Sequence, residues 1–324
     1  MKKTLCGAIL AALMATAAQA QSLQLAAPFT DTDAFVKAGQ DWAGEVSKAT
    51  DGAVDFEIVP NGALAPMAET LDAVSFGVVP AGMLAGSFVS GTIPALGYIE
   101  LIGGLPVENP SAGEALAAIW DDLDALFSKH NAHLLWGAPA FNIGFICREG
   151  FLKSHDDWKG KNIRTAGRWQ SQQIAALGAV PVPLAPSEIY VALQNGVVDC
   201  ALMIPSITLS ARLYEVAPYY TDTGLPANIT LSMINMDTWN GFTEEQRSKI
   251  DRISAEWTQK LAVTMREQAQ ADLETLDGDG EVYTLSQEEQ AEFIEYTRPI
   301  FEKVSETITD GPGTSLVKTL STYR

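Results

Sequence analysis

Arg164 has the strongest claim to chemistry in this chain. It falls near the end of a short strand-like run, Lys161 to Ala166, ahead of Gly167 and a helical segment. In open α/β sheets, ligands sit beyond the carboxyl ends of strands. An arginine there offers a planar fork that grips a carboxylate through two parallel hydrogen bonds. A structural ion pair is the alternative, and spacing alone does not separate the two. The other reactive side chains do not assemble. His130 and His133 are spaced for one helix face, but neither they nor His155 come with a third ligand or an HExxH pattern. They read as solvated. Asp277-Gly278-Asp279-Gly280-Glu281, with Glu288 in twelfth place, has the outline of a calcium loop, but Val282 stands where the sharp turn needs glycine. A plain glycine-rich turn is the better reading. There is no P-loop, dinucleotide fingerprint or nucleophile elbow, and no nucleophile–base pair can be nominated. The expectation is a binding protein with no catalytic residues, no metal and no cofactor.

The composition narrows the partners. The 324 residues carry 21 Lys+Arg against 40 Asp+Glu, a net charge of −19. Nucleic acid and anionic membrane surfaces both call for clustered basic residues, so neither is expected as a partner. A hydrophobic content of 47% with 19% charged residues suits a globular chain. The length suits two domains, whose interface is a favoured place for a ligand. Lys2 and Lys3, the uncharged apolar stretch Leu5 to Ala18, and Ala18-Gln19-Ala20 together read as a secretory signal peptide over residues 1–20, cleaved after Ala20. The apolar run is shorter than the ~20 residues of a membrane span. Cys6 precedes that run and is no acylation site. Cleavage leaves 19 basic residues against 40 acidic, a charge of −21. A second uncharged stretch, Ala73 to Ile99, is too broken by glycine and proline to cross lipid. Cys147 and Cys200 form either a disulfide, which an exported protein can acquire, or two buried thiols.

Positioning elements follow from periodicity. Leu23 to Ala27, a helix through Phe35 and Val46, and Val54 to Val59 make a βαβ unit. Further on, a helix spans Met67 to Ser75, a buried strand Val78 to Ala85, and a helix about Ser111 to His130. Strands follow at Leu134 to Trp136, Gly144 to Cys147 and Lys161 to Ala166. A helix at Gln170 to Leu177 leads to extended chain at Pro181 to Leu184. The helix opened by Ser187 stops at Gly196, and strands lie at Val197 to Ile204 and Thr230 to Ile234. Thr243 and Gln246 then form a capping box. Ile250, Ile253, Trp257, Leu261 and Met265 continue a helix to about Leu276, roughly 50 Å long and able to brace two lobes. Ser286 and Glu289 form a second capping box that opens the last amphipathic helix. With no repeat and no charge-rich linker, the lobes are expected to interleave.

The block Trp158 to Cys200 carries a resemblance. Trp158-Lys159-Gly160, Ile163-Arg164, Leu177-Gly178-Ala179, Pro181-Val182-Pro183, Glu188, Tyr190, Ala192-Leu193-Gln194, Gly196 and Val198-Asp199 resemble the pattern of the periplasmic solute receptors of tripartite ATP-independent periplasmic (TRAP) transporters, the DctP-like family. Pro60-Asn61-Gly62, Leu213 to Tyr219, Asn235 and Trp239 extend the likeness over nearly all the mature chain. The resemblance implies an α/β, type II-like periplasmic binding protein fold with two lobes, a ligand cleft between them and a long bridging helix. Lobe I is expected over residues 21–141 plus about 232–258, and lobe II over 142–231 plus about 259–324.

The same resemblance implies a receptor, not an enzyme, that works in the periplasm, binds a small organic acid and hands it to membrane permease subunits. Arg164 matches the family's carboxylate clamp. Asn142 falls where keto-acid receptors place a polar amide, and Met203 where members place an asparagine or an aromatic residue. There are departures. A second arginine, about twenty residues ahead of the first in sialic-acid receptors, is missing from Phe141 to Cys147. Leu202 replaces the acid that metal-assisted keto-acid receptors use, and Cys200 replaces a glycine. Neither a metal nor sialic acid is carried over. Arg168 and Trp169 open the helix after Arg164 and could line the cleft. So could Phe29, Phe88 and Phe141, although each of these aromatic residues reads more readily as core. One arginine with apolar neighbours fits a monocarboxylate, such as a keto, hydroxy or aromatic acid. A receptor feeding a signalling sensor and a periplasmic enzyme are the competing readings.

Overall fold

The first βαβ unit forms as its periodicity dictates. In the computed structural model, which describes residues 21–107 and 111–323, β1 (Gln21–Ala26) and β2 (Val54–Val59) pair in parallel, Gln21 opposite Val54 through Ala26 opposite Val59. The expected signal peptide, its cleavage site and Cys6 lie outside the described residues. The connecting α1 (Ala34–Ala49) buries Phe35, Val36, Trp42, Ala43 and Val46 on one face. Asp33 caps it, Oδ1 accepting the Phe35 N–H at 2.8 Å.

β3 (Ala81–Ala85) lies on the other side of β1. β10 (Ile229–Asn235) runs antiparallel between β3 and β4 (Ala132–Pro139), which completes a five-stranded sheet in the order β2-β1-β3-β10-β4. The helices of this part are α2 (Thr70–Ser75), α3 (Leu96–Glu100), α4 (Ala112–Ala118) and α5 (Trp120–Ser128). A six-stranded sheet has the order β11-β9-β5-β8-β6-β7. It comprises β5 (Ile143–Cys147), β6 (Asn162–Thr165), β7 (Val180–Pro183), β8 (Cys200–Met203), β9 (Tyr219–Leu225) and β11 (Glu281–Thr284), with α6 (His155–Trp158), α7 (Arg168–Ala176), α8 (Ile189–Gln194) and α9 (Pro205–Ser210) in its connections. α10 (Met236–Asn240), α11 (Glu244–Asp279), α12 (Gln287–Thr307) and α13 (Gly311–Ser321) complete the chain.

The fold is thus α/β with two lobes, one per sheet. The chain crosses between them from β4 to β5 and back from β9 to β10. The two crossings are hydrogen-bonded side by side, the Ala227 N–H donating to Ala140 O at 3.1 Å and the Ala140 N–H to Asn228 O at 3.4 Å. α11 is the long strut. Its 36 residues span about 54 Å at 1.5 Å per residue. Ile250, Trp257, Leu261, Met265 and Ala269 pack in the core of the five-stranded lobe, and Leu273 and Leu276 in that of the six-stranded lobe. The handover therefore comes after Ala269, later than about 258. Phe301, Val304, Ile308, Leu316 and Leu320 return to the first core, although 259–324 was expected wholly in lobe II. Periodicity reveals which face of a helix is buried, not which core receives it.

Other expectations need correcting. The helix over 111–130 breaks at Ile119 into α4 and α5. β9, β11 and α13 have no counterpart in the sequence reading, because β9 carries the buried polar run Thr221-Asp222-Thr223 and β11 is a half-exposed edge strand. α5 ends at Ser128 and His133 stands in β4, so His130 and His133 share no helix face. His133 is clamped, not solvated. Its Nδ1 lies 3.1 Å from Asp124 and its Nε2 3.2 Å from Asp251, with the ring stacked on Trp239. Burial pushes its pKa down, but the hydrogen bonds and charges of the two carboxylates outweigh that and lift it to about 9. Cys147 and Cys200 are joined by a disulfide between opposed positions of β5 and β8. Among the described residues, no helix is long and apolar enough to cross a membrane.

Candidate ligand-binding site

Strand order places Arg164. β6 lies between β8 and β7, so a side chain at its carboxyl end is flanked by the ends of both neighbours. Arg164 Nε and Nη2 donate to Leu184 O, just past β7, at 3.0 and 2.9 Å, and Nη1 donates to Leu202 O in β8 at 3.1 Å. Met203 Sδ takes a further contact from Nη1 at 3.3 Å. Arg164 is 4% exposed. Burial lowers its pKa to about 10, which leaves it a cation at neutral pH. Among the described residues no carboxylate pairs with it. Carbonyl dipoles fix its orientation but do not neutralise its charge.

Arg164 forms part of the wall of a cavity of about 380 Å³ between the lobes. Phe29, Asn61, Ser87 and Phe88 come from loops beyond β1, β2 and β3, and Arg164, Pro186 and Met203 from the carboxyl ends of β6, β7 and β8. The parallel strands β1, β2 and β3 of one sheet and β6, β7 and β8 of the other thus aim their carboxyl ends at one space, as the strand-end rule requires. Ala140 and Asn228, in the two crossings, form the back. The lining is largely apolar around a few polar groups, as in small-molecule sites generally.

Four of the eight residues proposed from sequence meet here: Arg164, Met203, Phe29 and Phe88. The other four do not. Trp169 turns onto α3, its indole lying over Gly97, and its backbone N–H donates to Glu100 Oε1 at 3.1 Å. Arg168 is exposed and stacks over the Trp169 ring at 4.9 Å. Asn142 has a left-handed backbone, φ 51°, and its Nδ2 donates to Asp222 at 3.4 Å. It borders an open depression shared with Arg266 and Glu267, as does the largely buried Phe141. In each case packing sets the direction: the first turn of α7 docks against the opposite lobe, and the crossing at Asn142 twists that side chain away from the cleft.

The sequence reading missed Asp33, Asn61, Gln170, Tyr190 and Asn228, all of which line the cavity. A signal existed for two of them, since Asn61 and Tyr190 sit inside the matched family motifs. Asp33 reads as a turn residue, and its cap to α1 disguises its second role. Among the described residues, no cluster of three His, Cys, Asp or Glu could hold a metal ion.

Comparison with known proteins gives consistent results. The model of the family DctP, bacterial extracellular solute-binding protein, family 7, matches residues 27–307. The C4-dicarboxylate-binding periplasmic protein DctP of Rhodobacter capsulatus is 28% identical over 278 residues, covering 81% of this chain and 79% of its own. A TRAP periplasmic solute binding protein from Desulfovibrio salexigens, with bound orotic acid, superposes with a TM-score of 0.86 at 22% identity, covering 93% of this chain and 98% of that one. A Bordetella pertussis extracytoplasmic solute receptor binding pyroglutamic acid gives a TM-score of 0.82 at 22% identity, over 93% of this chain and all of that one.

Proposed function

The chain belongs to the DctP family of bacterial extracellular solute-binding proteins, family 7, and on that premise we propose that it is the receptor of a TRAP transporter for a small monocarboxylate. The observation that carries this reading is Arg164, a buried cation in the wall of the interlobe cavity that has no carboxylate partner among the described residues. A ligand carboxylate supplies the missing charge through a fork that is already oriented. One arginine and a mostly apolar lining suit one carboxylate on a compact, apolar or weakly polar body. Among the described residues, a second carboxylate would meet no second basic side chain in the cavity. Relatives are named for C4-dicarboxylate, orotic acid and pyroglutamic acid, so the family scaffold accommodates several acids, and the choice among them rests with the lining. We read residues 1–20 as the export signal, the periplasm as the place of work and membrane permease subunits as the recipient of the ligand. The relatives are named as binding proteins and receptors, and we read this chain likewise as no enzyme.

Calorimetry with matched mono- and dicarboxylates tests the reading. A keto, hydroxy, amino or aromatic monocarboxylate is expected to bind with one site per chain. Arg164→Ala should weaken it about a hundredfold or more, since the ligand carboxylate would then be buried unpaired. Tight binding of a dicarboxylate with no monocarboxylate bound would refute the ligand class. Unchanged binding in Arg164→Ala would refute the clamp.

A further inference from the structure

We propose that Asp33 is a specificity-determining residue of the cleft, and that among monocarboxylates it selects a zwitterion, one whose body also carries a cationic nitrogen. The inference rests on the reading of the cavity as a carboxylate site and narrows it.

Among the described residues, Asp33 and Arg164 are the only ones lining the cavity that carry a formal charge at neutral pH, and they come from different lobes. Arg164 stands on β6 of the six-stranded sheet, and Asp33 at the start of α1 over the five-stranded one. Asp33 is 3% exposed. Its Oδ1 accepts the Phe35 N–H. Among the described residues, Oδ2 has no hydrogen-bond partner and no cation is paired with the carboxylate. Lys37, the nearest basic influence, is exposed on the next turn of α1, and Asp272 of α11 adds a further negative charge.

Capping alone does not account for this arrangement. A cap needs one accepting oxygen, and serine or asparagine would supply it without burying a charge. A carboxylate desolvated beside a cavity, with one oxygen free, is instead short of a cation. Burial raises its pKa to about 6, against the Phe35 hydrogen bond, so near pH 7 it is mostly ionised and the cavity wall holds one charge of each sign. A simple monoanion would leave the closed cleft with one net buried negative charge. A zwitterion leaves it neutral, with each end paired. Phe29, Phe35 and Phe88 lie in the same wall, and aromatic faces also favour a cationic nitrogen.

The test compares ligands that differ only in the nitrogen. Straight-chain amino acids with the amine at the α, β or γ carbon, their N-trimethylated forms and the parent carboxylates are titrated calorimetrically into the full protein. At least one zwitterion should bind about tenfold or more tighter than its parent carboxylate. Asp33→Asn keeps the cap and removes the buried negative charge, so it should abolish that preference by weakening the zwitterion, with the parent carboxylate bound at least as tightly as before. Arg164→Ala should weaken both classes. If parent carboxylates bind as well as every zwitterion, or Asp33→Asn weakens both classes alike, Asp33 is a helix cap only and the inference fails while the carboxylate site stands. If neither class binds, the underlying reading fails and takes this one with it. A melting curve for Asp33→Asn that overlays the parent's shows that any loss is not misfolding.

Discussion

The Arg164 fork is held before any ligand arrives. Leu184 and Leu202 lend their carbonyls from the two strands that flank β6, so little side-chain freedom is left to lose on binding. Lysine would keep the charge but cannot span both carbonyls and still present two parallel donors. Arg164→Lys should therefore cost about ten- to a hundredfold in carboxylate affinity, less than Arg164→Ala, as calorimetry would read. A different residue prediction concerns Gly97, which lets α3 and α7 interlock. A Cβ there would overlap the Trp169 indole, and because Trp169 is 2% exposed the ring has nowhere to move. Gly97→Ala should lower stability by about 1–3 kcal/mol, the usual penalty of overpacking, measurable by denaturant titration. Arg164 was legible because a charge at a strand end is a local pattern. Trp169 and Asn142 were misplaced because their directions depend on non-local facts, the docking of α7 onto α3 and a left-handed crossing. Asp33 was hidden by having a sufficient local explanation.

At the scale of elements, the capping boxes at Thr243 and Ser286 were readable, and both open helices where expected. The strands β1, β2 and β10 were readable by alternation or by apolar content. Sheet order, the split at Ile119 and the partners of α11 and α12 were not, since each is settled by packing between distant segments. The disulfide was likewise undecided until β5 and β8 were seen to be neighbours. It closes a loop with a sequence separation of 53 residues. Chain entropy for a loop of that size corresponds to about 4 kcal/mol. The double variant Cys147→Ala/Cys200→Ala should be less stable by up to about that amount in chemical denaturation. An unchanged midpoint would show that the unfolded chain gains nothing from the bond's removal.

For the whole molecule, two buried acids and the half-buried His133 give stability a common dependence on pH. Burial raises Glu100 from 4.5 to about 7, against the hydrogen bonds it accepts from the Gln170 and Trp169 N–H groups, and raises Asp33 from 3.8 to about 6. For both acids the folded chain holds its proton more tightly, so folding is penalised progressively as pH rises through these windows. His133, raised from 6.5 to about 9, contributes stability that is complete below pH 6.5 and lost as pH rises through 9. All three slopes have the same sign. Tm should therefore fall from pH 5 to pH 9 in the ligand-free protein. Glu100→Gln should flatten the curve between about 4.5 and 7, and His133→Gln between 6.5 and 9. A Tm that climbs with pH over that range would contradict the assignment. The charge of −19 opposes an anionic ligand only weakly at long range, because salt screens it beyond ~8 Å at physiological strength.

The place of β10 has a temporal consequence. It is the fourth strand of the first sheet, inserted between β3 and β4, yet it begins only at Ile229. A chain that emerges N-terminus first must hold β1 to β4 as an unfinished surface until Asn235 is available. Neither core is sealed before α11 has been delivered to both. Pairings of such long range make the finished state late and all-or-none. On the proposed reading of residues 1–20 as an export signal, that delay would suit threading through a narrow channel, where a lobe completed too soon would jam.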